Sequence, residues 1–92
     1  MLGTRIGELR QSFGWSQVEL ARRLNISKQT VSNWENDNIQ PSIEMLVRLA
    51  RLFNVSTDYL LGLEKFPRLN VDGLPIHIVA HIAQLIEDYR SK

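Results

Sequence analysis

Residues 16–35 read SQVELARRLNISKQTVSNWE, two short helical patterns joined by a brief turn. Ser16 and Glu19 stand in the S-x-x-E spacing of a capping box, which predicts a helix start. The apolar positions that follow are Val18, Leu20, Ala21 and Leu24. Asn25 then sits where a left-handed residue ends a helix, a conformation Asn tolerates better than most side chains. Ser27 is a good N-cap for a second short helix, which runs through Val31 and Trp34 to about Asn36. Two helices joined by so short a turn cross at a steep angle. Ala21 permits their close approach, and Ile26 and Val31 fill the angle between them. The second helix then stands out from the body, as a helix must to enter a DNA major groove. Its outward side chains are Ser27, Lys28, Gln29, Ser32 and Asn33, donors and acceptors suited to base edges and phosphates.

The pattern extends in both directions. Upstream, Ile6, Leu9 and Phe13 predict an amphipathic first helix stopping near Gly14. Downstream, NDNIQP (36–41) is loop-forming. Pro41-Ser42 leads into a helix with Leu46, Leu49, Ala50 and Phe53 on one face, ended by Asn54. Ser56 caps a fifth, short helix closed by Gly62. Residues 63–73 read as a connector whose Phe66, Leu69 and Val71 predict packing. Pro75 suits the first turn of a sixth helix, from about 75 to 90. In it Ile78, Ile82, Leu85 and Tyr89 follow a heptad-like spacing, with Val79, Ala83 and Ile86 as a second stripe. One stripe is expected to pack on the fourth and fifth helices, near Phe66 and Leu69. The other is expected to meet a second copy. The predicted organisation is a domain over 1–62 and a connector with a dimerisation helix over 63–92.

Composition bounds the rest. The 92 residues suit one small domain, and the absence of cysteine excludes disulfides and thiolate metal sites. No apolar run approaches the ~20 residues of a membrane span, and the first residues do not read as a signal peptide. The net charge is +1, and residues 1–62 hold seven basic and six acidic side chains. Bulk charge therefore does not announce nucleic-acid binding; the case rests on placement. His77 and His81 are four apart, but without an intervening Glu or a third ligand they do not make a metal site. No nucleophile–base pattern supports catalysis, so no enzyme activity, metal or cofactor is expected.

The chain resembles the phage repressor and Cro-like (Xre) helix-turn-helix family. The resemblance covers about residues 4–62. It is carried by Arg10, SQVELA (16–21), LNIS (24–27), TVSNWE (30–35), PS (41–42), LVRLARLFNVS (46–56) and DYLLG (58–62). It implies an all-α, compact five-helix DNA-binding domain, to which the sixth helix is added for dimerisation. It also implies binding of double-stranded operator DNA, usually as a homodimer, by a cytoplasmic regulator of transcription. Position by position, Gln17 matches a phosphate contact, and Lys28, Gln29 and Asn33 match the base-reading face. Ser27, Thr30 and Ser32 lie beside them, and Asn36 joins the contact set. Arg10 and Glu35 match an ion pair between the first and third helices. The loop after the third helix departs from the pattern: it reads Asn36-Asp37-Asn38-Ile39-Gln40 where several relatives carry Lys or Arg.

Several residues have a plainer reading as well. Arg22 and Arg23 suit the end of the second helix, where the dipole favours positive charge, more than a phosphate contact. Trp15, Trp34 and Tyr59 read as packing residues. The expected function is a repressor of a palindromic operator. The alternative is an antitoxin that also autoregulates its operon, with the C-terminal segment holding a toxin partner. The dimer-interface expectation falls on Ile78, Val79, Ile82, Leu85, Ile86 and Tyr89.

Overall fold

The computed structural model describes residues 2–92, and among these all regular structure is helical. The helices are α1 (Leu2–Ser12), α2 (Gln17–Leu24), α3 (Lys28–Glu35), α4 (Ile43–Phe53), α5 (Thr57–Leu60) and α6 (Ile76–Arg90). Four of them begin in the same way. Ser16, Ser27, Ser42 and Ser56 have extended backbones, and each hydroxyl accepts the N–H three residues on. Each such cap contributes about 1 kcal/mol. The capping box at Ser16 is only half formed, because the Glu19 carboxylate turns to Arg22 and Arg23 instead of back to the Ser16 N–H. Asn25 and Asn54 end α2 and α4 at φ 57° and 55°. Their N–H groups return to carbonyls of the last helical turn.

The core is drawn from α1–α5. Ile6, Leu20, Leu24, Val31, Leu49, Phe53 and Leu60 are almost fully buried, together with Ala21, Trp34 and Ala50. Trp15 packs its ring against Phe13 and Phe53, at 4.8 and 5.9 Å between centroids. Val18 departs from expectation: it lies on the outer side of α2 and is 62% exposed. The spacing that buries Leu20, Ala21 and Leu24 leaves no inward place for it.

The C-terminal segment also departs from expectation. None of α6 is buried. The main helix-to-helix contacts are α2 with α3, α1 with α3, α4 with α5 and α1 with α5. What partly covers α6 is the connector: Pro67, Leu69 and Val71 line one groove with Val79, Ile82, Ala83 and Ile86. Phe66, expected to help dock the helix, is 71% exposed. The connector is fastened at its start, where the Ser56 hydroxyl donates to Glu64 at 2.6 Å. That bond holds Glu64 beside the start of α5.

Candidate nucleic-acid interface

The α2–turn–α3 unit is held from behind by one polar cluster. Arg10 donates from Nε to Glu35 Oε2 at 2.7 Å and from Nη2 to Oε1 at 3.0 Å. Its third nitrogen donates to the Trp15 carbonyl at 2.7 Å. Both side chains of the pair are 11% exposed. The Gln17 amide donates to the same carboxylate, at 3.1 Å from Oε1. Glu35 therefore ties α1, the start of α2 and the end of α3 to one point. Gln17 is half-buried, and its second amide hydrogen is left for another acceptor.

Along α3, Val31 and Trp34 enter the core and set which side faces out. Ser27, Lys28 and Gln29 are exposed, while Thr30, Ser32 and Asn33 are half-buried. The Ser27 hydroxyl is engaged as the cap and lies 2.8 Å from Thr30 Oγ1. Gln29 donates from its amide to Asn33 Oδ1 at 3.1 Å, one turn further on. That bond fixes the Gln29 amide plane while leaving its oxygen and one N–H free. Asn36 is exposed, with a long 3.4 Å contact to Ser32. The expected contact residues of α3 are thus brought to one helix, with Gln17 beside its far end.

Arg22 and Arg23 are occupied elsewhere. Glu19 accepts from Arg22 Nε at 3.2 Å and from Arg23 Nε at 2.8 Å. Arg23 also lies 4.1 Å above the Trp15 ring. The hydrogen bond from Arg22, with both guanidinium charges beside it, holds the Glu19 carboxyl below its ordinary value, and Glu19 raises Arg22 in turn. His77 and His81 are both exposed on α6. No cluster of metal-ligating side chains occurs among the described residues. None of the described helices is long and apolar enough to cross a membrane.

Sequence reasoning missed the seat of α3 on α1. Gly3 and Gly7 face α3 one turn apart. A Cβ on Gly3 would run into the carbonyl oxygens of Trp34 and Glu35 and into the Asp37 carboxylate. Asp37 Oδ1 accepts the Gly3 N–H at 3.1 Å. The G-x-x-x-G spacing of residues 3–7 was the available signal, since it marks a helix face open to close approach.

Comparison with known proteins agrees with this geometry. A helix-turn-helix family model matches residues 6–60. The HTH-type transcriptional regulator ImmR of Bacillus subtilis is 39% identical, over 95% of this chain and 68% of that protein. The HTH-type transcriptional regulator AnsR of the same organism is 43% identical, over 96% of this chain and 90% of that protein. Among solved structures, a chain of the SinR protein/SinI protein complex superposes with a TM-score of 0.63 at 25% identity, each chain covered in full. The chain belongs to the helix-turn-helix transcriptional regulators of the phage repressor and Cro-like (Xre) type.

Proposed function

We propose that the protein is a cytoplasmic repressor that binds a palindromic operator as a homodimer and reads it with α3. The observation that carries this reading is the outer row of α3: Lys28 and Gln29 are exposed, and Gln29 is oriented by Asn33. Adenine is read in the major groove by an amide that accepts from N6 and donates to N7. Gln29 keeps one acceptor and one donor for this while its other N–H stays on Asn33. Lys28 suits the O6 and N7 acceptors of guanine. Gln17 positions the protein, with its free amide hydrogen directed to phosphate at the start of α2. Ser27, Thr30, Ser32 and Asn36 complete the contact set. Replacing Lys28 and Gln29 together by Ala is expected to keep the melting temperature, weaken operator binding and relax sequence preference. Each site carries roughly 1–3 kcal/mol. A double variant that binds the operator as tightly as the unaltered protein rejects the reading.

The dimer is proposed to form through 63–92. Eleven large apolar side chains between Leu61 and Tyr89 are exposed. Exposed apolar side chains in this number, set along the connector and one helix, mark an interaction surface. Val79, Ile82 and Ile86 share a groove with the connector, while Ile78, Leu85 and Tyr89 remain open for the second copy. The heptad-like spacing of these residues suits self-pairing about a two-fold axis, which favours a homodimer over a toxin-bound antitoxin. Sedimentation is expected to find a dimer at micromolar concentration. Leu85→Glu with Tyr89→Glu, both on the open side of α6, should give a folded monomer with much weaker operator binding. A monomeric unaltered protein, or a dimeric double variant, rejects the interface.

A further inference from the structure

We propose that Asp37 is a positioning residue of the DNA-facing loop and that the same carboxylate limits how tightly the protein binds its operator. The inference rests on the reading of α3 as the DNA-reading helix. Asp37 is in the left-handed conformation, at φ 58°, and its N–H returns to the Trp34 carbonyl at 3.1 Å. Its side chain accepts from Gly3 at the start of α1, where the helix dipole favours an anion. The absence of a Cβ on Gly3 is what lets the loop, the end of α3 and the start of α1 press together. Beyond Asp37, the N–H groups of Asn38 and Ile39 both return to the Asn33 carbonyl, at 2.9 and 3.3 Å. The loop is therefore folded onto a base-reading residue, and Asp37 fixes where Asn36 and Asn38 stand.

An Asn at this position would supply the same acceptor and tolerate the same backbone. What Asp adds is charge. Between residues 28 and 42 the only base is Lys28, and Glu35 is matched by Arg10. Asp37 is exposed and makes no salt bridge among the described residues. Its charge stands beside the phosphates that Asn36 would contact. It repels those phosphates and so works against the attraction that Lys28 supplies, most strongly at low salt.

The test uses the full chain and an operator obtained by selection. Asp37→Asn should melt close to the unaltered protein and bind about three- to tenfold more tightly in low salt. The gain should shrink as salt is raised, because screening weakens the repulsion that the substitution removes, so the slope of log K against log salt steepens. Asp37→Ala loses the acceptor and should melt lower and bind more weakly, despite carrying the same charge as Asp37→Asn. An unchanged affinity and slope for Asp37→Asn overturns the limiting role. An Asp37→Ala variant as stable and as tight-binding as Asp37→Asn overturns the positioning role. Gln29→Ala, measured alongside, separates the layers. If it binds normally, the DNA-face reading has failed; if it loses preference while Asp37→Asn is silent, only the present inference has failed.

Discussion

Arg10→Met removes the centre of the cluster behind the helix-turn-helix unit. The substitution keeps much of the side-chain volume and deletes three hydrogen bonds, two to Glu35 and one to the Trp15 carbonyl. Glu35 is then left, 11% exposed, with only the Gln17 amide at 3.1 Å. Breaking one side of a buried pair costs 3–5 kcal/mol, because the remaining charge is uncompensated. With a tenth of each side chain in contact with water, the lower end applies, about 3 kcal/mol. For a chain of this size each kcal/mol lowers the melting temperature by roughly 4–8 °C, so a fall of about 12–24 °C is expected by circular dichroism. Arg51→Met is the fitting control, since Arg51 is exposed, and it should change stability by less than about 0.5 kcal/mol. Arg5 is not a blank control: it donates to the Tyr59 carbonyl at 2.9 Å and lies 4.0 Å above that ring. Arg10→Met with Glu35→Leu should recover much of the loss, because no lone charge then remains. A melting temperature for Arg10→Met within about 3 °C of the unaltered protein would refute the argument.

Three further outcomes are expected. Gly3→Ala should lower stability by about 1–3 kcal/mol in denaturant titration, because the added methyl meets two backbone carbonyls that cannot swing away. Asn25→Ala should cost about 1 kcal/mol while Asn25→Gly should be close to neutral, since only the first strains the left-handed end of α2. Gln17→Ala should weaken operator and random DNA by similar factors in competition assays. A change in sequence preference without loss of overall affinity would contradict its positioning role.

The parts of the fold that local chemistry specifies were legible in the sequence. Serine caps at 16, 27, 42 and 56 and left-handed Asn at 25 and 54 are short-range signals, and each marks a helix boundary in the structure. The burial of Leu20, Leu24, Val31, Leu49 and Phe53 follows from helical spacing alone. Val18, though among the apolar positions of α2, lies off the side that Leu20, Ala21 and Leu24 share, and the structure leaves it exposed. Less legible were features that depend on which elements meet. Asp37 reads as a misplaced charge in a DNA-facing loop until the start of α1 is found against it. The Gln17 amide reads as a free donor, while the structure gives one of its hydrogens to Glu35. The helix α6 was legible over its length, but its packing was not, for the same reason. An apolar stripe states that a helix needs a partner but not which one, and here the nearest cover is the connector.

Selection of bound sequences from a random pool of double-stranded DNA reads out the operator architecture itself. A homodimer reading with α3 should enrich two half-sites in inverted orientation, with centres one helical turn, about 34 Å, apart or a multiple of it. The same selection with Gln29→Ala should lose preference at one position in each half-site and leave the spacing unchanged. No enriched sequence, or a single half-site without its inverted mate, would contradict the account.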